Sequence, residues 1–91
     1  MRFEWDEQKR LANLEKHGID FADVSQVFEF DTYTKFDNRF DYGEIRFLSL
    51  GMLFGEVVAI SHLETDEVIR IISVRKAEKY EQETYFTKIR D

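Results

Sequence analysis

One stretch of the chain joins a strand pattern directly to a helix pattern, and at residues 69–85 it reads IRIISVRKAEKYEQETY. Residues 68–75 form the most hydrophobic strand pattern in the sequence. From Lys76 to about Lys88 the spacing predicts a helix, one face of which is marked by Ala77, Tyr80 or Glu81, Thr84 and Tyr85. The segment therefore predicts a strand that leads without a linker into the last helix.

Three further strands are predicted upstream of this segment, because the apolar period changes to two from Thr32 onward. They span residues 32–36, 44–50 and 56–63, with a polar loop at residues 37–43. Gly51 is expected to end the second of them and to begin a hairpin connection that reaches Gly55, and residues 64–66 form another tight turn. Short turns between consecutive strands favour an antiparallel meander.

Two helices are predicted before these strands. Asp6 is a good N-cap for a helix that runs to about His17, with Leu11 and Leu14 facing inward and Gly18 as the stop signal. Residues 3–5 precede this helix as a short strand or an extended lead-in.

The second predicted helix begins at Asp20, which stands at capping-box spacing from Asp23. Ile19 and Val24 are placed to form a hydrophobic staple across this helix start. The side chains at helical spacing, which we expect in the core, are Phe21, Val24 and Phe28.

The order of these elements predicts an α+β fold of one domain, residues 1–91, because 91 residues leave no room for a second core. It comprises two N-terminal helices, an antiparallel sheet of about four strands and a C-terminal helix. The hydrophobic content of 43% is enough for a compact core. The chain has no cysteine, which excludes disulfides and thiolate chemistry.

The charge distribution limits where an anion could bind. The net charge is −6, which as a whole repels a polyphosphate. Residues 1–66 carry a net charge of −7, whereas residues 67–91 carry +1. An anion site is therefore expected in the last third, and the acidic remainder could be a docking surface for a basic partner. The first residues lack a secretory signal and no apolar run could span a membrane, so we expect a cytoplasmic protein.

The two histidines are weak evidence for a metal site, because they lie on different predicted elements. His17, beside Gly18, would interact favourably with the dipole of its helix end. His62 alternates out of an apolar strand and is expected to be half-exposed. The sequence also contains no phosphate-binding glycine loop, no His-Glu-x-x-His and no nucleophile elbow.

The arginines point more clearly to a site. Strand alternation puts Arg70 and Arg75 on opposite faces of the last strand. Arg70 lies within an apolar run, where it needs either a ligand or a carboxylate such as Glu44 or Glu56. Arg75 stands where the strand ends, so that helix-start amides together with Arg75, Lys76 and Lys79 could hold a phosphate, unless this is an ordinary solvated helix face.

Blocks of sequence along nearly the whole chain resemble the BrnT family of bacterial toxins. The blocks are Trp5-Asp6-Glu7, Lys9, Asn13, Lys16-His17-Gly18-Ile19, Phe21, Val27-Phe28, Gly43-Glu44, Arg46 and, above all, Ile69 to Ala77 with Glu81 and Tyr85. The resemblance implies a RelE-like fold and a ribonuclease that halts translation. It also implies a BrnA antitoxin that neutralises the toxin in a hetero-oligomer and carries a DNA-binding domain.

Metal-independent RNA cleavage uses the 2′-hydroxyl of the substrate as nucleophile, so the protein must bind the phosphate and move protons. Under this resemblance, the phosphate would be held by Arg46, Arg70 and Arg75. Glu81 or Glu44 would be the general base or would orient an arginine. The candidate proton donors are Tyr85, His62 and Lys79, and Tyr85 could instead stack on a base. No cofactor is implied.

Two other classes of protein compete with this interpretation. A module with weak or no catalytic activity could keep the RelE-like fold and act by binding a protein partner. It is suggested by the acidic charge and by Tyr80 and Gln82, which flank Glu81 where family members often carry positive charges. A general binder of single-stranded nucleic acid is disfavoured by the charge of −7 over residues 1–66.

Overall fold

The computed structural model describes residues 1–37 and 43–90, so most of the predicted loop at residues 37–43 lies outside the described residues. The elements are β1 (Arg2–Trp5), α1 (Glu7–His17), a 3₁₀ helix (Phe21–Glu29), β2 (Tyr33–Phe36), β3 (Phe47–Leu53), β4 (Glu56–Glu64), β5 (Val68–Lys76) and α2 (Lys79–Arg90). The α+β class is confirmed. None of the helices in the described ranges is long and apolar enough to cross a membrane.

The sheet has five strands in the order β1-β5-β4-β3-β2, rather than about four. The strands from β2 to β5 pair antiparallel as expected, whereas β1 pairs parallel with β5, with Phe3 beside Ile69 and Trp5 beside Ile71. The lead-in at residues 3–5 is therefore an edge strand. Its partner lies more than sixty residues later in the chain, so no local sequence signal reveals the pairing.

Each face of the sheet buries its own hydrophobic cluster. The α1 face, marked by Ile60, Ile71 and Val74, packs against α1 and the 3₁₀ helix. Phe3 and Trp5 of β1 add to this cluster. The α2 face is formed by the strand residues that alternate with those of the α1 face, and it packs against α2. The buried side chains of this cluster are Leu48, Leu50, Val57, Ala59, Ala77 and Tyr85.

A β-bulge interrupts the pairing of β4 with β5. Ser61 lies opposite Ser73, but the next residue, His62, lies opposite Ile71, so that Ile72 is an extra residue on β5. The bulge reverses the alternation of all later side chains. Arg70 and Arg75, predicted on opposite faces, therefore both lie on the α2 face, opposite Leu63 and Ala59 of β4.

Helix α1 begins and ends as predicted. The Asp6 carboxylate accepts from the Gln8 and Lys9 amides, and Gly18 closes the helix in the left-handed conformation at φ 71°. The inward face was predicted wrongly, because Leu11 is 52% exposed and Leu14 is 38% exposed. Asn13 is the buried residue of this helix, since its amide makes hydrogen bonds that require an interior position.

The second predicted helix is a 3₁₀ helix rather than an α-helix. Asp20 is its N-cap and accepts from the Ala22 amide. Phe21, Val24 and Val27 are buried and recur every three residues, which matches the three residues per turn of a 3₁₀ helix. Phe21 and Val24 are thus in the core as expected, and Phe28 is partly buried against it.

The second strand of the meander is displaced from its predicted position. It was predicted at residues 44–50, but β3 spans Phe47–Leu53, so Glu44 and Arg46 precede the strand. The turn lies at Phe54 and Gly55, whose φ values of 50° and 84° are typical of a two-residue hairpin. Gly51 lies inside β3, where a Cβ atom would come within 2.3 Å of the Val27 side chain.

The last strand is one residue longer than predicted and ends at Lys76. Helix α2 accordingly starts three residues later than predicted, at Lys79, and it extends to Arg90. Its buried face carries Glu81 and Tyr85, whereas Tyr80 is 59% exposed.

We predict that Gly51→Ala destabilises the protein by about 1–3 kcal/mol, because the new methyl group overlaps the buried Val27 side chain. Urea unfolding followed by circular dichroism measures the change in the free energy of unfolding. The penalty should shrink in a Val27→Ala background, which removes the overlapping atoms. An unchanged unfolding midpoint for Gly51→Ala would contradict the close packing of β3 against the 3₁₀ helix.

Candidate functional site

The α2 face of β5 is accessible beside the edge strand β1. Helix α2 packs against β2, β3 and β4, while the Arg70 and Glu4 side chains on this face are 41% and 44% exposed. Arg70 and Arg75 lie opposite β4 residues that are four positions apart, which separates them by about 13 Å along the strand. The bulge in β5 thus arranges two cations along one open strip.

Arg46 extends this arrangement to a third cation. It directly precedes β3, and its carbonyl oxygen accepts the Asp37 amide at 2.8 Å, so the chain is still paired as a strand at this residue. Extending the observed pairing of Phe47 with His62 by one residue places Arg46 beside Leu63, the partner of Arg70. Strand alternation puts Arg46 on the same face as Arg70, about 10 Å away across the intervening strand. We call Arg46, Arg70 and Arg75 the arginine surface.

The guanidinium of Arg75 forms a two-pronged ion pair with Glu81. Its two terminal nitrogens lie 2.7 Å and 3.1 Å from the two carboxylate oxygens. The Glu81 side chain is only 4% exposed and also accepts the Glu78 amide at 2.9 Å, half of a capping box at the start of α2. Glu81 therefore occupies the helix-start position that was predicted to hold a phosphate, and it fixes the direction of Arg75.

Arg70 has a looser partner than Arg75. A single contact of 3.4 Å joins its guanidinium to Glu4 of β1. The predicted partners were wrong. Glu4 of β1 lies beside Arg70 in register, whereas Glu44 precedes β3, two strands away, and binds Arg46 at 3.0 Å. Glu56 lies at the far end of β4, where it binds Lys76 at 3.5 Å. A half-exposed ion pair of this kind contributes about 0–1 kcal/mol, so Arg70 can exchange its carboxylate for another anion at little cost.

The two predicted lysines lie away from the arginine surface or at its margin. Lys76 follows Arg75 and therefore lies on the α1 face, opposite Val58, where its exposed side chain pairs with Glu56. Lys79 is the first residue of α2 and is exposed. In residues 1–37 and 43–90, no three histidine or carboxylate side chains lie close enough to share a metal ion.

Tyr85 is a core residue of the α2 face. Its side chain is 3% exposed, and its hydroxyl donates to the Asp31 carbonyl oxygen at 2.9 Å. Burial, assisted by the negative charge of Asp31, raises the pKa of the Tyr85 hydroxyl. In this position the ring joins α2 to the chain before β2 and is not available for stacking on a base.

Most of the chain matches a known protein family. Residues 5–81 match the model of a family described as the ribonuclease toxin, BrnT, of type II toxin–antitoxin systems. The chain belongs to the BrnT family. A search of curated proteins found no match. A family of this type consists of ribonuclease toxins that are paired with an antitoxin.

The family match covers the arginine surface of this BrnT chain but not all of its surroundings. Arg46, Arg70, Arg75 and Glu81 lie within residues 5–81, whereas Glu4 and Tyr85 lie outside them. Two residues that contact β5 were absent from the predicted set: Glu4 on the face of the arginines and Asn13 on the opposite face. Glu4 was detectable only through the alternation of charged and apolar residues in β1, and Asn13 had no signal beyond the family resemblance.

His62 of the BrnT chain is buried rather than half-exposed, and it lies on the α1 face, away from the arginines. It is 1% exposed and stacks against Phe47, while its Nε2 lies 2.7 Å from the Ser49 hydroxyl. Within the described residues, Nδ1 has no hydrogen-bond partner. Burial lowers the pKa of His62 to about 4, and the backbone of Leu63 partly opposes this shift.

We predict that His62 makes the stability of the protein pH-dependent. Its pKa is lowered from 6.5 to about 4 in the folded protein, so between these values only the unfolded chain binds the proton. The free energy of unfolding should fall by about 3 kcal/mol as the pH drops through this window, and the effect should vanish above about pH 7. Urea unfolding between pH 5 and 7.5 tests this.

The matched variant is His62→Gln, which should flatten the pH dependence in this range. Parallel stability curves for the parent and His62→Gln would show that His62 titrates normally. The neutral amide introduced by His62→Gln can still bind the Ser49 hydroxyl. The difference between the two stability curves therefore reports the effect of protonating His62 and not the loss of this hydrogen bond.

Proposed function

We propose that this chain is an endoribonuclease toxin that cleaves RNA without a metal ion and thereby inhibits translation. The observation that carries the proposal is the bulge in β5, which brings Arg70 and Arg75 onto one accessible face. The guanidinium group remains charged and binds phosphate oxygens through two parallel hydrogen bonds. Arginines about 13 Å apart along a strand can contact phosphates that are two or so nucleotides apart.

In the proposed reaction the RNA supplies its own nucleophile. The 2′-hydroxyl loses its proton to a general base and its oxygen attacks the adjacent phosphorus. The bond from phosphorus to the 5′-oxygen breaks, and that oxygen takes up a proton from a general acid. The products are a 2′,3′-cyclic phosphate and a 5′-hydroxyl. Negative charge builds up on the phosphate oxygens during this step, and fixed cations stabilise it.

The three arginines have different proposed tasks. Arg75 stabilises the transition state. Glu81 holds its guanidinium in one direction, and a group that is already oriented before the reaction lowers the barrier more than a mobile one. Arg70 binds the substrate phosphate, because its contact with Glu4 is single and half-exposed. Arg46, which directly precedes β3, adds a third cation to the arginine surface for a further contact with the RNA.

Glu81 orients Arg75 in this proposal rather than acting as the general base. Its carboxylate already accepts two hydrogen bonds from Arg75 and one from the Glu78 amide, so both of its oxygens are engaged within the protein. Glu44 is the better candidate for the base, since its side chain is 42% exposed and lies next to Arg46. Among the predicted proton donors, Lys79 is exposed, whereas Tyr85 and His62 are buried.

We predict that Arg70→Gln lowers the rate of RNA cleavage about 10²-fold without unfolding the protein. Loss of a charged hydrogen bond to the substrate phosphate costs up to about 3 kcal/mol, which corresponds to about 10²-fold in kcat/KM, and the ion pair that it breaks is half-exposed. Arg75→Lys, which keeps the charge but loses the fork, should lower the rate similarly. Cleavage of an end-labelled RNA in EDTA measures the rate, and circular dichroism verifies folding.

Lys16→Ala is the matched control, because it removes an exposed positive charge from α1, on the far face of the sheet. It should cleave RNA and arrest growth on induction like the parent. If Arg70→Gln and Arg75→Lys remain folded and as active as the parent, the arginine mechanism is wrong. If the parent alone leaves RNA and growth untouched, the protein is instead a binding module that acts through a protein partner.

The antitoxin partner is proposed to be a basic, DNA-binding protein of the BrnA type that neutralises the toxin in a hetero-oligomer. Support comes from the net charge of −7 over residues 1–66, which would attract a partner segment rich in lysine and arginine. Charge attraction over long range raises association rates more than it changes the contacts of the final complex.

We predict that the association rate of toxin and antitoxin falls at least tenfold when NaCl is raised from about 50 mM to 500 mM, because salt screens charges beyond a few ångströms. Stopped-flow fluorescence measures the rate. Glu15→Gln combined with Glu29→Gln, which removes two exposed charges, should reduce the slope of the salt dependence. Equal rates at both salt concentrations would exclude electrostatic steering.

A further inference from the structure

The edge of β5 that faces away from β4 has two different neighbours. Over its first half, β5 pairs with β1, and this pairing ends where Trp5 lies beside Ile71. At Asp6 the chain turns into α1, so β1 does not reach Val74. Val74 is 0% exposed, and its backbone N–H and C=O groups therefore need partners within the protein.

The side chain of Asn13 supplies both partners. Its Oδ1 accepts the Val74 N–H at 3.2 Å, and its Nδ2 donates to the Val74 carbonyl oxygen at 2.9 Å. The amide group thus pairs with Val74 as the backbone of a neighbouring strand would. Its Nδ2 also donates to the Ile19 carbonyl oxygen at 3.1 Å, which links β5 to the end of α1. Asn13 is 7% exposed, so water does not compete for these bonds.

This contact lies directly after the bulge and next to Arg75. If the bulge were lost while the pairing of β5 with β1 was kept, each residue after Ile71 would slip by one position on β4. Val74 would then turn to the α2 face and Arg75 to the α1 face, because side chains alternate along a strand. The bond pair from α1 to the Val74 backbone is possible only in the bulged register.

We propose that Asn13 is a positioning residue of the ribonuclease site. It specifies the bulged register of β5 and so holds Arg75 on the same face as Arg70, where Glu81 then fixes the guanidinium. The residue itself lies on the opposite side of the sheet and touches no substrate. This inference depends on the proposed function, because it assumes that Arg75 acts on the RNA.

The test uses Asn13→Asp, which keeps an acceptor for the Val74 N–H but loses both donated bonds, and Asn13→Ser as a smaller variant. In the folded variants, single-turnover cleavage of RNA should fall about tenfold to a hundredfold, as expected for a catalytic group displaced by about 1 Å. The Nε–Hε signal of Arg75 in a ¹⁵N NMR spectrum should shift. The affinity for a non-cleavable 2′-O-methyl RNA should fall together with the cleavage rate.

A double-mutant cycle with Arg75→Lys separates positioning from a general structural effect. In the Arg75→Lys background, Asn13→Asp should change the cleavage rate less than twofold, because the group that it positions is already altered. A full tenfold loss in that background, or an Arg75 signal that stays in place in Asn13→Asp, would overturn the inference. The NMR result does not involve RNA, so it remains decisive if Arg75→Lys itself proves fully active and the proposed function fails.

Amide hydrogen exchange in the parent protein provides the test if neither variant folds. The Val74 amide should exchange at the slow rate of the core strand amides, because Asn13 binds it in the interior. Exchange of Val74 as fast as an unprotected edge amide would show that Asn13 does not hold the strand, and the inference would be wrong.

Discussion

Hydrogen bonding along both edges of β5 is the constraint on which the rest of the structure depends. One edge pairs with β4 through a bulge, and the other pairs first with β1 and then with the side chain of Asn13. A buried strand cannot leave these backbone groups without partners. Since β1, β4, α1 and the bulge all meet at β5, the register of this strand decides which side chains enter each core and which reach the surface.

The sequence predicted the elements that depend on local chemistry. The caps at Asp6, Gly18 and Asp20 were visible because a short polar side chain or a glycine acts within a few residues of its own position. Three of the four meander strands were located from alternation alone. The strand-to-helix segment predicted Arg75 at the junction where the strand ends. The family resemblance predicted that Glu81 would act as a general base or orient an arginine.

The type of the second helix and the bounds of β3 and α2 were predicted wrongly from local patterns, whereas the other errors concern contacts between residues far apart in the chain. Gly51 resembled a turn signal, but its lack of a side chain serves the approach of Val27 from another element. Asn13 was overlooked because a polar residue on a helix is usually solvated, and its partner Val74 lies 61 positions away. The bulge puts Arg70 and Arg75, predicted on opposite faces, on the same face of the sheet. The parallel strand β1 supplies Glu4 as the carboxylate partner of Arg70, in place of the predicted Glu44 or Glu56. His62 was predicted to be half-exposed, but it is buried because helical elements cover the α1 face of the sheet.

The parallel pairing of β1 with β5 also determines when the fold can be completed. A chain emerging from the ribosome delivers β1 first, but its partner β5 is nearly the last element to appear. Contacts between such distant segments slow folding, since a long loop must close before they form. Helices and the central hairpin can form as soon as their own residues are synthesised, whereas the pairing of β1 with β5 and the bond from Asn13 to Val74 must wait until β5 has been made. The arginine surface therefore cannot form from the early part of the chain alone, because its geometry depends on a contact of high sequence separation.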